Sequence, residues 1–134
     1  MALSRRKKTK CWIWKALDRI TGRVVAWVVG RRDAATFRRL YAQVKGDKRT
    51  YFTDDWPVYR AVLPEAQHVI GRMETRTVER DNANTRHYSA RMARRTKVVS
   101  RSLTMVDLSI KLRVLFADPA VYAQWQAVFS AVFA

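Results

Sequence analysis

An architecture can be read from residues 11–29, CWIWKALDRITGRVVAWVV. Two runs rich in β-branched and aromatic residues, CWIWKAL (11–17) and RVVAWVV (23–29), flank DRITG, a short break ending on Gly22. Side chains of that kind suit a pleated surface and a glycine-bearing break suits a tight reversal, so the stretch reads as a β-hairpin. Both strands are apolar on nearly every position, which predicts a sheet covered on both faces. Cys11 is the lone cysteine and reads as a small apolar strand residue. A disulfide framework and a thiolate metal cluster are thereby excluded, and His68 and His87 offer no zinc-ligand spacing. A reducing cytoplasm is the default compartment.

Downstream, Asp33 stands where a helix N-cap belongs, Phe37, Leu40, Tyr41 and Val44 recur at helical spacing, and Gly46 follows. RTYFT (49–53) reads as a strand, residues 56–62 as a short helix ending at LP, and QHVI (67–70) as another strand. From about residue 75 the chain, TRTVERDNANTRHYSARMARR, is helical and basic. A further helix is read from Thr104, with Asp107 completing a capping box and Leu108, Leu112 and Leu115 as its buried stripe. In DPAVYAQWQAVFSAVFA, Asp118 caps and Pro119 takes the first helical position. Tyr122, Trp125, Phe129 and Phe133 recur along it as core or contact residues, and the helix could equally be an association surface. The division that results is a basic unstructured arm (1–10), one α/β domain (11–117) and an apolar C-terminal helix (118–134).

The chain carries 27 Lys+Arg against 11 Asp+Glu in 134 residues, a net charge of +16. Self-repulsion on that scale points to a polyanionic partner. A membrane role fits poorly, because no stretch of 18 apolar residues exists and the charge and the apolar segments fall in separate elements.

FTDDWPVY (52–59) holds two adjacent aspartates, and a helix cap needs only one. Asp54 ends a strand read as central, where α/β sheets gather their chemistry. Glu79 follows after a gap of 24 residues, with Asn82, Ala83 and Arg86 at i+3, i+4 and i+7 on the same helix. Small or amide neighbours leave room for a ligand, and Arg86 could hold a phosphate. Two converging carboxylates repel unless a cation lies between them. A pair of Mg²⁺ ions ~4 Å apart would remove the penalty and activate the attacking and leaving oxygens of a phosphodiester. The plain alternative makes Glu79 an exposed residue of a charged helix.

FTDDWPVY, the following spacing, VERDNANTRHYSARMARRTKVVSRS and GRVVAWVVGRRDAATFRRL together resemble the catalytic part of bacterial transposases of the insertion-sequence-one family. The resemblance covers roughly residues 11–112. It implies a ribonuclease-H-like mixed sheet flanked by helices, and DDE chemistry with Mg²⁺ or Mn²⁺ that cuts and joins double-stranded DNA. It further implies self-association in the transposition complex. By position, Asp54 matches the second acid, Glu79 the third, and Arg86 the basic residue seven further on. Asp55 falls at a variable position and is the better helix cap. Arg76, Arg80, Arg91, Arg94, Arg95, Lys97 and Arg101 would track the DNA backbone. With Arg86 they make eight basic residues against two acids in 76–101. A solvated helix surface is the alternative for that run.

The family's first aspartate sits on an initial strand, where this chain offers MALSRRKKTK with no acid. The resemblance therefore implies a sheet lacking its first strand. Asp18 matches a turn position instead, expected at the far edge of the sheet from Asp54. A rival reading makes 11–17 the first strand and sets Asp18 beside Asp54. A non-catalytic basic DNA-binding fragment, occupying DNA or interfering with the full enzyme, is the alternative function.

Overall fold

In the computed structural model, which describes residues 2–3, 11–71, 75–89 and 102–133, the hairpin organises everything else. Strand β2 (Cys11–Leu17) pairs antiparallel with β3 (Val24–Gly30), with Trp14 opposite Val28 and Lys15 opposite Trp27. Gly22 closes the turn at φ +68°, a left-handed conformation that a β-carbon disfavours. Asp18 completes the turn: its Oδ1 accepts from the Thr21 amide at 2.7 Å and from Thr21 Oγ1 at 2.9 Å.

Alternation along the strands sends two sets of side chains to opposite faces. On one face Trp14, Ala26 and Val28 pack with Phe37 and Leu40 of α1 (Ala34–Val44), which Asp33 caps by accepting from the Thr36 amide at 2.8 Å. On the other face Ile13 packs with Val106 and Ile110 of α4 (Leu103–Phe116). The sheet is covered on both sides, as its composition predicts.

Helix α4 presents a different stripe from the expected one. Val106 and Ile110 are 3% and 1% exposed, while Leu108, Leu112 and Leu115 are 44%, 53% and 46% exposed. The helix is apolar on two rows, and the docking surface selects between them. Asp107 accepts from Trp27 Nε1 at 2.8 Å, which fixes the roll of the helix. Asp107 is therefore bound to β3, and Ser102 supplies the cap by accepting from the Met105 amide. Helix α5 (Pro119–Phe133) begins as predicted, with Asp118 Oδ1 accepting from the Ala120 amide at 2.9 Å. Tyr122, Trp125, Val128, Phe129 and Val132 along it are exposed, so Tyr122, Trp125 and Phe129 are not core.

Strand β4 (Tyr51–Thr53) differs too. It pairs, in parallel, only with β5 (His68–Ile70), across α2 (Pro57–Val62), and forms a separate two-stranded sheet. Among the described residues it is an edge rather than a central strand. Strand β1 (Ala2–Leu3) pairs antiparallel with the start of β2, Ala2 opposite Trp12 and Leu3 opposite Cys11. Those two residues thus form a strand where an unstructured arm was expected, because a free strand edge recruits any chain that leads into it.

Candidate active site

Between β4 and the edge of β2 that is unpaired among the described residues lies an open groove of about 1440 Å³. Its walls are the Trp12–Ile20 edge and the Lys48–Asp54 approach, and the first turns of α3 (Arg76–Tyr88) close it. Aromatic contacts set the two walls. At one end Trp56 packs on Trp14 (centroids 5.5 Å apart), and Tyr59 meets both Trp14 and Phe37. At the other end the Arg19 guanidinium lies 4.3 Å from the Phe52 ring centroid. Strand β4 therefore runs antiparallel to β2 across the gap, its carboxyl end toward the start of β2.

Asp54 lines the groove at that carboxyl end. Its Oδ1 accepts from the Trp56 amide at 3.3 Å. Burial first, and the Asp54 charge second, push the Tyr59 phenol up to about 12, so Tyr59 stays protonated beside the carboxylate. Thr53 Oγ1 donates to the Asp54 carbonyl at 2.8 Å and meets His68 Nε2 at 2.6 Å. With its proton committed, the threonine accepts from His68, which must carry its proton on Nε2. Asp55 does not cap α2. It pairs with Arg60 on the surface, where both side chains are solvated and the pair contributes little. Trp56 occupies the cap position, and Asp54 makes the local amide contact.

Glu79 and Asn82 reach the same groove from α3, as do Arg76 and Thr77. Asn82 Oδ1 is buried with no hydrogen-bond partner among the described residues. Asp18 also lines the groove, and its Oδ1 is committed to the turn. Among the described residues no three acids, histidines or cysteines lie close enough together to hold a metal. Arg86 is exposed on α3 and does not line the groove, though its charge is felt at Lys15. Arg80 is exposed and reaches over Gly22. Arg91, Arg94, Arg95, Lys97 and Arg101 lie outside the described residues.

Helix α3 is held by a buried network that the charge count alone does not reveal. Lys15 Nζ, on a side chain 2% exposed, donates to Asp81 Oδ2 at 2.6 Å and to Thr85 Oγ1 at 2.7 Å. Arg113 Nη2 of α4 donates to Asp81 Oδ1 at 3.3 Å. Burial lowers the Lys15 pKa, aided by the Arg113 and Arg86 charges, against the Asp81 carboxylate that pulls it up. Asp81 is a structural counter-ion rather than one of two acids on a DNA-facing surface. A lysine inside an otherwise apolar strand was the available signal, since such a group needs an anionic partner.

A family model described as IS1 transposase matches residues 2–115. The chain belongs to the IS1 transposase family. It is 36% identical over 102 residues to the insertion element IS1 protein InsB of Shigella flexneri, covering 75% of this chain and 78% of that one. It is equally similar to the insertion element IS1 2 protein InsB of Escherichia coli K12, of whose length the match covers 61%. The IS1 protein InsB of Shigella sonnei is 35% identical over the same length. No solved structure matches the chain. Helix α5 lies beyond the part that the family model matches.

Proposed function

We propose that this chain is the catalytic part of a DDE transposase that cuts and joins insertion-sequence DNA. The observation that carries the reading is the shared groove: Asp54 from the end of β4 and Glu79 from α3 line one cleft. Glu79 has no ion-pair or hydrogen-bond partner among the described residues, so its charge is available to a cation. The residues present fit such an ion. Bound there by Asp54 and Glu79, it would supply Lewis-acid activation of the phosphodiester. Asp54 is held by the Trp56 amide, Glu79 by the docking of α3, and Arg76 brings positive charge to the mouth of the groove where a phosphate would enter.

The edges of β2 and β4 that are unpaired among the described residues support a ribonuclease-H-like sheet completed by a strand lying between them. Such a strand would run beside Ile13 to Leu17, antiparallel to β2 and parallel to β4. A strand there would join the two small sheets at the usual spacing of about 4.8 Å per neighbour. It would also be the position for a further acid near Asp54. Double-stranded DNA is the partner that a charge of +16 favours. The charge-free α5 face, with Trp125 and Phe129 exposed, is the surface for self-association.

Iron-mediated backbone cleavage tests the site. Fe²⁺ in place of Mg²⁺, with ascorbate and peroxide, should cut the chain next to both Asp54 and Glu79. Cleavage at only one of these segments, or at neither, would overturn the shared-cation reading.

A further inference from the structure

We infer that Arg32 is a phosphate-holding residue, its guanidinium fixed between Trp12 and Trp56 beside Asp54 to take a backbone phosphate of DNA; the inference rests on the reading of the groove as a DNA cleft. Arg32 stands in the connection between β3 and α1. That connection is tied on both sides of it: Trp14 Nε1 donates to the Arg31 carbonyl at 2.9 Å, and Asp33 caps α1. The Arg32 guanidinium carbon lies 4.9 Å from the ring centroid of Trp12 and 4.9 Å from that of Trp56. Both distances are within cation–π range, and two such contacts restrain a side chain that otherwise samples many rotamers. Trp12, Arg32 and Trp56 all line the groove, and the Trp56 amide donates to Asp54 Oδ1. The Tyr59 phenol senses both charges: after burial, Asp54 pushes its pKa up and Arg32 pulls it down.

The clamp leaves the hydrogen-bonding capacity of the guanidinium unspent. Arg32 is exposed, and among the described residues no acceptor meets its N–H donors. Other arginines are committed: Arg60 to Asp55, Arg113 to Asp81, Arg49 to the Val44 carbonyl. A guanidinium is a rigid fork of donors that matches the paired oxygens of a phosphodiester. The indoles already carry the guanidinium, so the group on offer to DNA is a hydrogen-bond donor and not a stacking platform. A phosphate approaching Asp54 meets a like charge, and Arg32 supplies the opposite charge next to it.

The test measures binding of a labelled DNA duplex to the whole chain by fluorescence anisotropy, in EDTA, between about 50 and 200 mM salt, with thermal unfolding followed in parallel. Leaving divalent ions out keeps the result independent of the cation reading. Arg32→Ala should weaken binding about tenfold and lower the salt slope by about 0.9. Arg32→Lys, which keeps the charge but not the fork, should keep the slope and recover only part of the affinity. Arg38→Ala, removing an exposed arginine of α1 outside the groove, should leave both near the parent. Arg76→Ala is the reference for the groove itself. Weaker binding in Arg76→Ala, with Arg32→Ala no different from Arg38→Ala, would overturn the inference and leave the groove reading standing. Parental binding in both Arg76→Ala and Arg32→Ala would overturn the groove reading with it. A purely structural Arg32 would lower the melting temperature in Arg32→Ala and leave the salt slope as it was, which also overturns the inference.

Discussion

Removing Asp81 should be far more damaging than removing both partners of its ion pair. In Asp81→Leu, Lys15 keeps a charge on a side chain 2% exposed, Arg113 loses its acceptor, and the two cations then face one another. Breaking a buried pair from one side costs about 3–5 kcal/mol. The upper half of that range applies here, because two cations are orphaned rather than one. For a domain of this length the loss corresponds to a melting temperature lower by about 10–20 °C. Lys15→Met should cost less, about 1–3 kcal/mol, since Asp81 keeps Arg113 at 3.3 Å. Burial and the neighbouring Arg113 and Arg86 charges leave the Lys15 pKa lowered despite Asp81, so the buried charge gains little over hydrocarbon. Lys15→Met with Asp81→Leu should therefore return to within about 1 kcal/mol of the parent, as buried pairs replaced by apolar side chains often do. Urea unfolding followed by tryptophan fluorescence would measure all four corners of the cycle. Asp81→Leu alone within about 0.5 kcal/mol of the parent, or a double variant worse than either single, would refute this account of how α3 is held.

Other perturbations probe separate parts of the molecule. Arg76→Ala should lower the salt slope of DNA binding by about 0.9 if that side chain neutralises one phosphate, read from affinities between 50 and 200 mM salt. Trp125→Glu with Phe129→Glu should shift the chain to a smaller species in light scattering coupled to size exclusion, with no loss of far-UV ellipticity; an unchanged mass would remove α5 as the association face. His68 has its pKa lowered from 6.5, by burial first and by Arg60 second, so the folded state binds its proton less readily than the unfolded chain. The associated stability is present above pH 6.5 and lost as the pH falls through the depressed value, so the melting temperature should decline between pH 7.5 and 5.5, and less so in His68→Gln. Gly22→Ala, at φ +68°, should destabilise the hairpin by about 1–2 kcal/mol, measured by urea unfolding.

The elements that sequence conveys well are those whose signals are local. The hairpin, the Asp33 cap and the Asp118–Pro119 start of α5 each depend on a few neighbouring residues, and each is present in the structure. The row of α4 that is buried depends instead on a surface made by β2 and β3. Leucines at 108, 112 and 115 satisfy the helical period as well as Val106 and Ile110 do, and the packing on Ile13 with the Trp27–Asp107 hydrogen bond separates the two solutions. The position of β4 at an edge is another long-range fact: its three residues are as apolar as those of a central strand, and pairing is decided by which neighbours the chain provides. Asn82 was legible only as a small residue beside Glu79. Its orphaned oxygen requires the fold.

The network around Lys15 also explains why residues from one stretch of α3 divide into separate roles. Each residue advances about 100° around the helix, so Asp81 and Thr85 share the direction of β2. Asn82 then falls about 100° from Asp81, and Glu79 about 160°, on the same side as Asn82. This is the side on which both reach the groove. Arg86 falls between those two directions and about 10 Å further along the axis, outside the groove but in line with it. Arg80 falls on the opposite side of the helix, where it reaches over Gly22. An ion pair on β2 thus sets the roll of α3, and the roll determines which of its polar residues line the groove and which remain outside it.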